Sequence, residues 1–153
     1  MQNERVLHAR ELRARDFDRL DRARTVVTLP VSPLEVHGPH LPLMTDALEA
    51  EALLDAAMDH FLARHRDAVH LKLPPLHLGA DVLPQTGSVA ARPSTVRRAV
   101  EDTGRSLARQ GFKHLWIGNF HAGPRHFLAL EAACEAFCEK VNTRAHRATR
   151  RPP

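Results

Sequence analysis

The stretch EVHGPHLPLMTD, residues 35–46, carries Glu35, His37, His40 and Asp46, all of which can ligate a metal. Glu35 and His37 lie two apart. Side chains two apart on extended chain share a face, so both can look at one centre while Val36 points back to the core. Gly38, Pro39 and Pro42 can hold the loop in one shape. Asp46 stands at the start of a helical pattern and can swing toward the same centre. His121 lies in a second polar loop, NFHAG at 119–123. Two carboxylates and two imidazoles suit Zn²⁺, with Mn²⁺ as a close rival. A carboxylate between two such groups can bridge a pair of ions, and a paired centre polarises a carbonyl and supplies hydroxide near neutral pH. The same residues also have plain structural roles. Asp46, with Glu49 three residues on, resembles a capping box. His40 can bond a backbone carbonyl, and His121 can pack at a strand end.

These loops need elements to position them. TVVTLPV at 25–31 is β-branched and apolar and reads as a buried strand. The motif loop follows it. Ala50, Leu54, Ala57, Met58 and Phe61 recur at helical spacing, which predicts a helix from Asp46 to near His65. AVHLKL at 68–73 is a second strand, followed by a Pro- and Gly-rich loop over 74–93. Ser94 is expected to cap a helix that buries Val96, Ala99, Val100, Thr103 and Leu107 and stops at Gly111. KHLWIGN at 113–119 is a third strand. A third long helix is expected from about Arg125 to Val141, with Phe127, Leu130, Cys134, Phe137, Cys138 and Val141 on one face. Residues 9–20 read as a short polar helix. Strands alternating with helices predict a mainly parallel sheet in a three-layer α/β/α arrangement. In such sheets ligands bind outside the carboxyl ends of the strands, where both polar loops lie.

The chain has 153 residues, the size of one domain, of which 43% are hydrophobic and 26% charged. Its net charge of +4 is misleading. The Lys and Arg from residue 140 on account for all of it: without them 17 basic residues face 18 acidic ones. We therefore read one domain over 1–141 and a basic, disordered tail over 142–153. No aromatic stacking motif or basic helical stripe accompanies the tail, so nucleic acid is not an expected partner. The N-terminus is charged without an apolar segment, and no stretch is long enough to span a membrane. Cys134 and Cys138, four apart, are read as reduced core thiols, in keeping with a cytoplasmic location.

The segment LPVSPLEVHGPHLPLMTDALEAE, 29–51, closely resembles the signature E-x-H-G-x-H-L-P-x-x-T-D of the creatininase (creatinine amidohydrolase) family. Glu35, His37, Gly38, His40, Leu41, Pro42, Thr45 and Asp46 fill its fixed positions. GFKHLWIGNFHAGP, 111–124, is similar to the family's second block, N-G-H-G-G-N, at Asn119, His121 and Gly123. The resemblance covers roughly residues 9 to 140. It implies a metal-dependent hydrolase of amide-type C–N bonds on a small-molecule substrate, an α/β/α fold, and a homo-oligomer. It further implies a binuclear centre of Zn or Mn, with Glu35 and His121 on one ion, His37 on the other and Asp46 bridging. Water activated by the ions would attack the carbonyl carbon. His40 and Asn119 would support the ligands from behind.

The chain also departs from that family. Gly123 stands where creatinine amidohydrolases carry a further glutamate ligand, and Pro124 replaces the asparagine that closes the second block. LPQTGSV in the 74–93 loop lacks a histidine that members often have there. Members also continue well past the third helix, and the NTRAHRATRRPP ending has the look of out-of-frame sequence. The expectation is a shortened or frame-shifted member with exposed apolar surface. It is either an active hydrolase or a catalytically inactive module that works through assembly.

Overall fold

The structure, a computed structural model, describes residues 5–148. Its strands are β1 (Val6–His8), β2 (Thr25–Pro30), β3 (Val69–Lys72) and β4 (His114–Gly118). Its α-helices are α1 (Ala14–Asp18), α2 (Thr45–Arg64), α3 (Pro93–Arg109) and α4 (Pro124–Ala148). The strands form one parallel sheet in the order β1-β3-β2-β4. Every residue of β2 is buried, as expected for a parallel strand covered on both faces. One face packs on α2, where Val26 and Trp116 meet Met58 and Leu62. The other packs on α3 and α4, where Leu29 and Val31 meet Val96, Val100, Ala129, Leu130 and Ala133. The fold is thus a three-layer α/β/α arrangement. From β2 the chain passes to β3 on one side and later to β4 on the other. The carboxyl ends of β2 and β4 therefore flank a topological switch point, the place where such sheets bind ligands.

The strands fall where the apolar runs place them, but several local details differ. The expected helix over 9–20 is a 3-10 turn at Ala9–Glu11 followed by the short α1, and β1 precedes it. Arg5 reaches from beside β1 to the end of α2, where its guanidinium donates to the Leu62 and His65 carbonyls. Asp46 does not cap α2. Met44 occupies the cap position without a side-chain bond, and the Thr45 hydroxyl turns back to the Pro42 carbonyl, which frees the Asp46 carboxylate to face inward. Ser94 does not cap α3 either: Arg92 is at the cap and Pro93 opens the helix, a position where proline's absent N–H costs nothing.

The buried stripe of α4 is His126, Ala129, Leu130 and Ala133. Of the expected apolar face, Leu130 is buried in the core and Phe137 packs beside Gly104 of α3, whereas Cys134 and Cys138 are free but exposed and Phe127 is 55% exposed. Ala129 and Ala133 are buried between α4 and the rest of the core, while Phe127 and Leu128 turn outward. Leu115, Ile117, Cys134, Phe137 and Cys138 line a groove of about 210 Å³ beside β4, the outer strand of the sheet. The backbone of α4 runs on past Val141 into the stretch expected as a tail, and residues 149–153 lie outside the described residues. Among the described residues no helix is long and apolar enough to cross a membrane.

Candidate metal centre

The loop after β2 is closed by a backbone bond in which Glu35 N–H donates to the Leu43 carbonyl. Gly38 makes the turn within it at a φ of +79°, a conformation that side-chain-bearing residues rarely adopt. Val36 N–H donates to the Ser88 hydroxyl, and Leu34 pairs with Val89, so the 76–92 loop is laced along the motif. This lacing puts Glu35 and Asp46 inside the protein, at 6% and 4% exposure, together with His121 at 4%.

One ligand atom from each of Glu35, Asp46 and His121 lies within 4.8 Å of the others. His121 Nδ1 is 2.9 Å from Glu35 Oε2 and 3.2 Å from Asp46 Oδ2. On the far side of the ring, Nε2 donates to the Ala80 carbonyl at 2.8 Å. That carbonyl can only accept, so the proton on Nε2 is fixed and Nδ1 is the nitrogen turned to the carboxylates. The Leu83 N–H donates to Glu35 Oε1, which leaves Oε2 for the centre. Asp46 Oδ2 is buried and has no hydrogen bond. Such an atom is costly unless something positive meets it. Two donors held about 2.0–2.2 Å from one tetrahedral ion would stand about 3.3–3.6 Å apart, so the observed 2.9 and 3.2 Å need open by only a few tenths of an ångström to admit one. The donor set fits a divalent ion.

His37 approaches Asp46 from the other side, with Nε2 2.9 Å from Oδ1. Its Nδ1–H donates to the Glu35 carbonyl at 3.0 Å. Burial works against charging this ring. The carbonyl bond and the Asp46 carboxylate outweigh it and hold the pKa above the usual imidazole value. Asp46 therefore spans two imidazoles, one oxygen to each. Asn119 holds the His121 backbone from both ends: its Nδ2 donates to the His121 carbonyl at 2.8 Å, and the His121 N–H donates to its Oδ1 at 3.0 Å. His40 is exposed, its ring beside Gly38; among the described residues no hydrogen bond or ion pair joins it to the cluster.

The structure adds a reason for Gly123, which the motif already marks, and brings in residues that motif reasoning misses. A Cβ at Gly123 would lie 2.5 Å from His121 Nε2 and 2.7 Å from the Ala80 oxygen, so the space where a glutamate side chain would begin is filled by the His121–Ala80 pair. Asp81, at a φ of 62°, accepts from the Arg125 N–H and pairs with its guanidinium. What burial it has acts upward, but those bonds hold its carboxyl below the usual range. His126 is fully buried beside His121, with ring centroids 5.1 Å apart. Burial first, and the neighbouring His121 second, push its imidazole down. The sequence signal for His126 is its place at the head of the stripe 126, 129, 130, 133.

The profile of the creatinine amidohydrolase (creatininase) family matches residues 10–151. Among curated proteins, the mycofactocin precursor peptide peptidase of Mycolicibacterium smegmatis is 32% identical over 111 residues, 71% of this chain and 44% of that protein. A solved manganese creatininase superposes with a TM-score of 0.75 at 21% identity, over 92% of this chain and 54% of its own. A creatinine amidohydrolase superposes at 0.74 with 23% identity, over 91% and 53%. The chain thus spans about half the length of these relatives.

Proposed function

This chain belongs to the creatininase family, and we propose that it is a metal-dependent hydrolase of an amide-type C–N bond, with Glu35, His37, Asp46 and His121 as its metal ligands. The observation that carries the reading is Asp46 Oδ2, a buried carboxylate oxygen without a hydrogen bond, 3.2 Å from His121 Nδ1. Glu35 and His121 would hold one ion, His37 the other, with Asp46 between them. Zn²⁺ or Mn²⁺ bound there supplies a Lewis acid that makes water a nucleophile near neutral pH and polarises an amide carbonyl. The protein's own part is to fix the donors. Leu83 N–H orients Glu35, the Ala80 carbonyl orients His121, and Asn119 holds the His121 backbone. The names of the similar proteins concern a peptide in one case and creatinine in the others. Both contain amide-type C–N bonds, so the bond class is the common ground, and a small-molecule amide is the substrate in this reading. A homo-oligomer and a cytoplasmic location go with it.

A second reading is a catalytically inactive module acting through assembly. It is favoured by Gly123, which leaves no room for a glutamate ligand, and by the His37 side, where only His37 and Asp46 meet among the described residues. Metal content by inductively coupled plasma mass spectrometry, on wild type and on a Glu35→Ala, His37→Ala double variant, tests both. About two ions per chain, lost in the variant and accompanied by turnover in a screen of cyclic and linear amides, supports the hydrolase. Ions without turnover in a folded chain support the module. No ion in the wild type refutes the metal reading.

A further inference from the structure

His126 is completely buried and touches no solvent, so it cannot meet a substrate. Both of its ring nitrogens are nonetheless committed. The Ala80 N–H donates to Nδ1 at 3.3 Å, and Nε2 lies 3.4 Å from the Val31 carbonyl. An N–H can only donate and a carbonyl can only accept, so the ring is neutral with its proton on Nε2. The Ala80 residue it grips is the one whose carbonyl takes the Nε2–H of His121. Val31, at its other end, lies just beyond β2 on the chain leading to Glu35. One imidazole thus ties the carboxyl end of β2, the 76–92 loop and the start of α4 together, directly behind the cluster.

We infer that His126 is a positioning residue for the metal centre: by holding Ala80 between itself and His121, it keeps His121 Nδ1 aimed at Glu35 and Asp46. The inference rests on the metal reading for its consequence but not for its geometry. Without the grip on the Ala80 N–H, the 79–80 peptide keeps only the bond from the Ala91 N–H to the Gly79 carbonyl, and the Ala80 backbone that presents the carbonyl to His121 is held less tightly. His121 then loses the bond that selects Nδ1, and ring orientation at the centre becomes a mixture. Partners one bond behind a ligating histidine commonly carry about 10–100-fold in metal affinity.

Two near-isosteric variants separate this from a general packing role. In His126→Asn the side-chain oxygen falls near the place of Nδ1 and can still accept from Ala80. In His126→Gln the amide nitrogen falls near the place of Nε2 and keeps only the Val31 bond. Zn²⁺ affinity, measured by competition with a chromophoric chelator, is expected to stay within about threefold of wild type in His126→Asn and to fall about 10–100-fold in His126→Gln. Exchange of the Ala80 amide hydrogen, followed on metal-free protein, is expected to stay slow in the first and become fast in the second. Equal behaviour of the two variants in both readouts, or losses that track their melting temperatures, would overturn the inference. A wild-type chain that takes up no Zn²⁺ would sink the metal reading alone, because the amide exchange still decides whether His126 grips Ala80.

Discussion

Gly123→Ala adds a single carbon at the most crowded point of the centre. That carbon would lie 2.5 Å from His121 Nε2, 2.7 Å from the Ala80 oxygen and 2.9 Å from the Asp81 Cβ. None of these is the free end of a flexible chain, so the His121–Ala80 bond must open. Breaking a buried hydrogen bond and leaving both groups unpaired costs about 1–3 kcal/mol, and overpacking costs about 1–3 kcal/mol. The two overlap, because one displacement relieves both, so about 2–4 kcal/mol is expected in all. For a chain of this size 1 kcal/mol moves Tm by about 2–4 °C, which predicts a fall of roughly 5–15 °C in chelator. Zinc at a hundred times its Kd should raise wild-type stability by about 2.7 kcal/mol. A 10–100-fold weaker site removes about 1.3–2.3 kcal/mol of that, between half and most of the shift. Thermal unfolding with chelator and with Zn²⁺ reads both effects. A Gly123→Ala protein that melts with wild type and keeps its full zinc shift would refute the reasoning.

Two further outcomes follow from the same geometry. His70 is buried and shares a 2.8 Å hydrogen bond with the Thr28 hydroxyl, and burial lowers its pKa to about 4 from an ordinary 6.5. Between those values the unfolded chain binds the proton that the folded chain refuses. The stabilisation is therefore complete above pH 6.5 and is lost as pH falls toward 4, by roughly 2 kcal/mol between pH 7 and pH 5. Unfolding free energies from urea titrations of wild type and His70→Gln should differ by that amount in their change between pH 7 and pH 5; parallel pH profiles would dismiss the assignment. Asn119→Ala removes both bonds that fix the His121 backbone. It should lower stability by about 1–2 kcal/mol and weaken Zn²⁺ binding about tenfold, with isothermal titration as the check and unchanged binding as the contrary result.

The buried strands were legible because β2, β3 and β4 are short β-branched or apolar runs between turn residues. β1 was not, since its apolar pair Val6 and Leu7 stands among charged residues and becomes a strand only by pairing with β3. In α4 two helical stripes overlap. The larger residues, from Phe127 to Cys138, suggested one face; of these Leu130 is buried, and packing adds His126, Ala129 and Ala133, which apolar size did not mark. Glu35, His37, Asp46 and His121 could be named as candidates because a metal needs particular side chains at particular spacings and because these residues fill positions of the family's motifs. The 79–83 segment could not, because it acts through the Ala80 carbonyl and the Ala80 and Leu83 N–H groups, which every residue but proline possesses. Only the fold says which peptide stands behind which ligand.

The centre is lopsided in a way that bears on both functional readings. On the Glu35 and His121 side the ligands are almost fully buried. They are fixed by groups from the 76–92 loop, the end of β4 and, through His126, the first turn of α4. On the other side, the His37 side chain is 25% exposed, and among the described residues its outer nitrogen is tied only to the carbonyl of Glu35, in its own loop. A site held by several elements keeps its geometry when emptied, whereas one held by its own loop does not. In the two-ion reading proposed above, the first ion position would therefore be self-sufficient in the described residues. The second would depend on whatever else approaches His37, whether solvent, substrate or another polypeptide. Fold and first ligand set can persist while turnover is lost, so ion stoichiometry and activity must be measured on the same preparation: one without the other separates a hydrolase from a module that retains its architecture.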